Sequence, residues 1–295
     1  MPIFQTIVAQ RPDLFVFLGD NIYGDTQDMT VMAAKYAALA AKPLFAQLRN
    51  QSAILATWDD HDFGVNDGGA DFPQRKESRK LFLDFWRPGQ PLPPHDGVYQ
   101  STISGPPGRR VQIILLDTRY FRSPLKRGER RTGGPWMPDS DPGKTMLGEA
   151  QWAWLKEQLS KPAERRVIAS SIQLIASDAG QETWSNLPAE RQRMLQLLKD
   201  TGTENVCFIS GDRHWSEFSV LQGVLPGPLY DFTSSSLNQR HSRGTPTQNK
   251  HRLEPDTFHA ENFGVLLFDW STQPAKVTCQ IRDIDGRVVL EHAFD

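Results

Sequence analysis

Apolar residues fall into two textures along the chain. As far as His214 they form five compact runs, Leu14–Leu18, Ala53–Trp58, Val111–Leu116, Val167–Ile172 and Val206–Ser210. Each is too short for a helix and rich enough in Val, Ile, Leu and Phe to be a strand buried on both faces. Between the runs apolar residues recur at helical spacing. Met32, Tyr36, Leu39 and Ala40 share a helix face, with Pro43 breaking or kinking that helix. Leu81, Phe82 and Phe85, then Leu147, Ala150, Trp154 and Leu155, then Met194, Leu195 and Leu198 after Pro188, repeat the pattern. Strands alternating with helices make βαβ units.

Beyond His214 the helical spacing stops. Phe218–Leu221, Leu229–Thr233, Val265–Asp269, Lys276–Arg282 and Val288–His292 read as strands, with Asp285-Gly286 as a hairpin turn before the last. This half adds a second, largely antiparallel sheet. The expectation is one α/β domain over residues 1–295, a two-sheet sandwich flanked by helices, with its ligand site where strands end and loops begin. Ser123–Lys144 and Asn238–Asp256, polar and rich in Gly, Pro and Arg, read as long loops. The first eight residues lack the charged start and long apolar stretch of a signal peptide and lead almost at once into the strand at Leu14.

Composition narrows the function classes. Hydrophobic residues make up 38% of the chain, enough for a core that needs no disulfide support. Cys207 lies in an apolar run as an inert thiol, and with Cys279 the only other cysteine, cysteine usage says nothing of compartment. A net charge of −2 gives no basic footprint for nucleic acid and no polybasic membrane patch. No apolar run approaches the roughly 18 residues of a membrane span.

Candidate chemistry sits where three of the apolar runs stop. Leu14–Leu18 leads into Gly19-Asp20-Asn21-Ile22-Tyr23, where a sharp turn at Gly19 lets Asp20 and Tyr23 converge on one ion, Asp20 as a bridge and Tyr23 as a hard phenolate donor suited to ferric iron. Trp58 leads into Asp59-Asp60-His61-Asp62. Carboxylates this dense raise one another's pKa or recruit a cation. We take Asp60 as the ligand and His61 as the group that orients or protonates a leaving oxygen. Val206–Ser210 leads into Gly211-Asp212-Arg213-His214. If extended geometry persists there, Asp212 and His214 point to one side and share a metal, while Arg213 points away, as a phosphate clamp or a structural ion pair. Clamping two cations close together on rigid elements is what phosphoester cleavage by metal-activated water requires.

With these motifs in place the chain resembles the alkaline phosphatase D (PhoD-like) family, a branch of the calcineurin-like metallophosphoesterases. The resemblance is carried by Leu18–Tyr23, Trp58–Gly64, Leu116-Asp117-Thr118-Arg119, Gly148–Leu155 and Ser210–His214, in the family's order. It implies a four-layer αββα sandwich of the metallo-dependent phosphatase type, hydrolysis of phosphodiesters and phosphomonoesters, and a dinuclear centre of iron and calcium. Carried over, Asp20 bridges, Tyr23 binds iron, and Asp60, Asp212 and His214 complete the ligand set. Asn66 is a further ligand or substrate contact, and Arg119 faces the phosphate or fixes Asp117. The partner implied is a phosphate-ester substrate, with no specific nucleic-acid or membrane partner. One departure stands out: the family begins with a strand ending in Gly-Ser-Cys, whose thiolate binds the iron, and nothing before Pro2 supplies it. The expectation is therefore a fold lacking that first strand, exported if an upstream segment is missing. The alternative reading is a catalytically inactive metal-binding or scaffold protein derived by that loss.

Overall fold

β1 (Leu14–Leu18) and β2 (Ala53–Thr57) pair in parallel, Leu14 opposite Ala53 and Leu18 opposite Thr57. Their carboxyl ends therefore finish side by side, and so do the polar residues that follow each. The computed structural model describes residues 2–177, 180–240, 247–253, 257–273 and 275–295. In chain order the helices are α1 (Ile3–Gln10), α2 (Met29–Ala40), α3 (Pro43–Gln51), α4 (Asp60–Phe63), α5 (Arg75–Trp86), α6 (Gly148–Leu159) and α7 (Pro188–Asp200). The remaining strands are β3 (Gln100–Ser104), β4 (Val111–Leu115), β5 (Lys126–Arg131), β6 (Gly134–Met137), β7 (Arg165–Ala169), β8 (Val206–Ser210), β9 (Glu217–Leu221), β10 (Leu229–Thr233), β11 (Asn262–Asp269), β12 (Lys276–Asp283) and β13 (Val288–Phe294).

A six-stranded sheet in the order β3-β4-β7-β8-β10-β9 forms one inner layer. Its strands β4, β7, β8 and β10 are parallel, with antiparallel β3 and β9 at the edges. The pairs β1-β2 and β11-β12-β13 form the other inner layer. Side-chain alternation shows the layering directly. Phe17 and Ala56 pack outward with Phe4, Met32 and Phe45 of the helices, while Leu14, Val16 and Leu55 pack inward with Ile113, Val167 and Phe232 of the large sheet. The far face of the large sheet buries Ile114, Ile168 and Phe208 against Trp152, Leu155 and Met194 of α6 and α7. The result is helix, sheet, sheet, helix, as expected. No helix among the described residues is long and apolar enough to cross a membrane.

Local departures have local causes. The first residues form α1, whose Ile3, Phe4, Ile7 and Val8 are buried, rather than running straight to β1. Pro43 opens α3 instead of merely ending α2, because a proline at the first helical position gives up no hydrogen bond. The expected loop Ser123–Lys144 contains the β5-β6 hairpin, and Gln100–Ser104 pairs as an edge strand although its pattern is polar. Of the expected loop Asn238–Asp256, residues 241–246 and 254–256 lie outside the described residues.

Candidate metal centre

The ends of β1 and β8 deliver their carboxylates through a left-handed backbone conformation that an extended chain does not have. Gly19 turns β1 at φ +105°, and a Cβ there would lie 2.5 Å from the Asp59 Cβ, so only glycine allows the two strand ends to touch. Asp20 follows at φ 50° and Asp212 and His214 lie at φ 65° and 58°. Extended geometry thus does not persist after β8. Asp212 joins the carboxylates, while His214 turns toward Tyr23. Asp62 braces the turn, accepting hydrogen bonds from the backbone N–H of Asp59 (2.6 Å) and Asp20 (3.2 Å) and from the Asn21 amide.

Asp20, Asp59, Asp60 and Asp212 each offer an oxygen within 4.8 Å of the others. Asp20 with both oxygens, Asp59 with Oδ2 and Asp60 with Oδ1 have no hydrogen-bond partner among the described residues. Orphaned, buried carboxylate oxygens this close are costly unless a cation neutralises them. Burial, then the neighbouring Asp60, Asp59, Asp212 and Asp62, holds the Asp20 carboxyl well above the usual range. Burial together with Asp59 and Asp60 does the same to Asp212. Burial, then Asp20, Asp60, Asp212 and Asp62, pushes the Tyr23 phenol up. Asp60 alone is held low. Burial opposes its ionisation, but Arg119, His61 and the backbone N–H of Asp67 outweigh it.

At the other end of the group the Tyr23 hydroxyl lies 3.0 Å from His214 Nε2, which is 3.9 Å from Asp20 Oδ2. His61 stacks on Tyr23 with ring centroids 4.4 Å apart. It also shares with Asp20 and Asp60 a second group able to hold an ion. Asp20 therefore stands between a carboxylate pole and a phenol–imidazole pole.

The two expected substrate contacts, Arg119 and Asn66, differ sharply in exposure. The Arg119 side chain is fully buried beneath the carboxylates rather than on their open side. Its Nε donates to Asp59 Oδ1 at 2.5 Å, it pairs with Glu182, and only its backbone N–H bonds Asp117 (2.9 Å). Asn66 is exposed, and it is the next residue, Asp67, that turns inward at φ 56° and donates its N–H to Asp60 Oδ2 at 2.7 Å. Arg213 points away as expected, buried over Trp215 and bonded to Thr247.

Three neighbours were not anticipated from sequence. Asp25 pairs with His61, Glu182 pairs with Arg119 and Arg122, and Asp67 forms a further acidic group with Asp60 and Glu182. Asp25 stands in a polar loop five residues after Asp20, a signal easily lost among ordinary loop acids. Glu182 had no signal at all, because a lone acid between Gln181 and Thr183 names no partner.

The sequence profile of the PhoD-like phosphatase family matches residues 1–281. The chain belongs to that family. Its relatives include alkaline phosphatase D of Bacillus subtilis (strain 168), 26% identical over 187 residues, a match covering 57% of this chain and 32% of that protein. The chain thus spans about a third of the length of that curated relative. The solved structure of PhoD superposes with a TM-score of 0.68 at 19% identity, covering 98% of this chain and 68% of that one. A purple acid phosphatase from yellow lupin (Lupinus luteus) seeds gives a TM-score of 0.61 at 13% identity, covering 99% and 48%. The fold is that of the metallophosphoesterases, and the residues present fit metal ions.

Proposed function

We propose that this PhoD-like chain hydrolyses phosphate esters, with two cations held by Asp20, Tyr23, Asp60, Asp212 and His214. The observation that carries the reading is the group of four carboxylates, Asp20, Asp59, Asp60 and Asp212, with ligand oxygens within 4.8 Å and several of them orphaned. Family membership supports the chemistry. Bound there, two metal ions would lower the pKa of a shared water and offset charge on the phosphate. Phenol and imidazole at one pole and carboxylates at the other suit an iron–calcium pair, the combination the resemblance implies.

The chain's own residues supply the rest. Asp62 and Gly19 fix the strand ends so that Asp20 and Asp60 face each other. Arg119 lies behind Asp59 and Asp60 and balances their charge, a positioning task in place of phosphate contact. His61, held at Nδ1 by Asp25, presents Nε2 for the leaving oxygen and delivers its proton there. The test is turnover of bis-p-nitrophenyl phosphate by the purified, metal-loaded chain, with and without Asp60→Asn. We expect turnover in the parent and a loss of at least about a hundredfold in the variant. Equal turnover in both would remove the mechanism.

A further inference from the structure

The β5-β6 hairpin carries four cations, Lys126, Arg127, Arg130 and Arg131, against one carboxylate, Glu129, in a chain whose net charge is −2. It is tied to the candidate metal centre at two points. On one side the Trp136 indole N–H donates to Asp67 Oδ2 at 3.0 Å, and the Asp67 backbone N–H donates to Asp60 Oδ2 at 2.7 Å. On the other side the turn packs on Thr247, where a Cβ at Gly133 would lie 2.5 Å from the Thr247 Cγ2. The Thr247 hydroxyl in turn accepts from Arg213, the residue between Asp212 and His214. A backbone bond from Trp136 N–H to Gly180 O (2.9 Å) completes the attachment.

Register decides which cation faces the centre. Arg127 stands opposite Trp136, and opposed residues of an antiparallel pair project from the same face with Cβ atoms about 5 Å apart. Trp136 uses that face to reach Asp67, so Arg127 rises from the side of the hairpin turned to the carboxylates. Lys126 opposes Met137 and belongs to the other face. Arg127 is exposed, and among the described residues it makes no hydrogen bond or ion pair. The arginines already placed around the carboxylates are engaged: Arg119 pairs with Asp59 and Glu182, Arg122 with Glu182, and Arg213 is buried over Trp215.

We propose that Arg127 binds a second phosphate of the substrate, so that the centre selects a phosphate ester flanked by a further phosphate over an isolated one. A guanidinium can donate two parallel N–H bonds to phosphate oxygens, a match of shape and charge that a neutral sugar or hydroxyl does not offer. Lys126 and Arg130, both exposed, add attraction for an anion without fixing its position. One anionic ligand then spans the two places, its scissile phosphate at the centre and its neighbour on the hairpin. The inference rests on the phosphate-ester reading of the centre and adds the class of ester that it prefers.

The test compares thymidine 3′,5′-bisphosphate with thymidine 5′-phosphate, which differ only in the second phosphate, by titration calorimetry on the metal-loaded chain in ~0.05 M salt. The p-nitrophenyl 5′-esters of the same two nucleotides make the comparison in turnover. The parent is expected to favour the doubly phosphorylated member by about fivefold or more in Kd and in kcat/KM, and to lose the preference as salt is raised to ~0.5 M. Arg127→Glu should bring the ratio close to one. Lys199→Glu makes the same change of charge at the end of α7 that leads into β8, away from the strand ends that carry the carboxylates, and should keep the ratio. Turnover of neither ester, with a binding preference that Arg127→Glu abolishes, removes the hydrolysis reading and supports the hairpin subsite. Equal affinity of the parent for the two nucleotides overturns the proposal. So does a preference that Arg127→Glu leaves intact, or that Lys199→Glu removes equally.

Discussion

Asp25 Oδ1 lies 2.6 Å from His61 Nδ1, a pairing between the loop that follows β1 and the helix α4 that follows β2. Two backbone bonds strap that loop to α4 and its C-cap, from Gly24 N–H to His61 O (3.0 Å) and from Thr26 N–H to Gly64 O (2.7 Å). Asp25 itself sits at φ 47°, a conformation a non-glycine residue adopts at some cost. The arrangement fixes which imidazole nitrogen faces the carboxylate and frees Nε2 for a leaving group.

Asp25→Asn should therefore lower kcat by about tenfold on phosphodiesters with alkoxide leaving groups while KM holds. A p-nitrophenolate leaving group needs little protonation and should be nearly indifferent. Burial opposes protonation of His61, but Asp60 and Asp25 outweigh it and raise its pKa above the ordinary histidine value. The alkaline fall in kcat/KM should then shift toward lower pH in the variant. Equal losses on both leaving groups would count against a proton-delivering His61.

Stability of the metal-free protein should fall as pH rises through neutrality. Burial pushes the carboxyl of Asp59 up to about 6, of Asp67 to about 7 and of Asp62 to about 8. Each group binds its proton more tightly folded than unfolded. The contribution is thus complete below the ordinary carboxyl pKa of about 3.9 and is lost as pH climbs through the raised values. Calorimetry with chelator from about pH 5 to 8 should show a falling Tm. Added metal ions, which favour the ionised carboxylates, should stabilise most at the upper end. A metal-free Tm that rises across that window contradicts the reading.

Arg119→Met should cost about 3–5 kcal/mol in denaturant unfolding, the range for breaking a buried ion pair from one side, because buried Asp59 loses its cation and Glu182 keeps only Arg122. Adding Glu182→Gln, which removes the carboxylate that Arg119 shares with Arg122, should cost less than it does in the parent chain. Additive losses in the double variant would show that Arg119 and Glu182 do not act as a unit.

How much of this was legible depends on whether the signal was local. Leu14–Leu18 and Val206–Ser210 announce themselves as strands by composition, and Asp20, Asp60 and Asp212 are legible because they follow such strands directly. Position after a buried strand is a one-dimensional mark of a three-dimensional neighbourhood. The task of Arg119 stayed open between phosphate and Asp117 because a cation near a motif looks the same in sequence whether it faces substrate or lies behind the ligands. Only the burial of its side chain against Asp59 and Glu182 separates the two. Asn66 and Asp67 differ by a single positive φ at Asp67, which no periodicity encodes. The β5-β6 hairpin was hidden because Lys126–Arg131 is charged throughout and carries no apolar alternation.

Elemental analysis after equilibrium dialysis tests the centre most directly. The parent chain should retain two metal ions, and Asp20→Asn, which removes the carboxylate standing between the two poles, should lose affinity for both while circular dichroism stays unchanged. A parent that retains none, or an Asp20→Asn chain that retains both, contradicts the account.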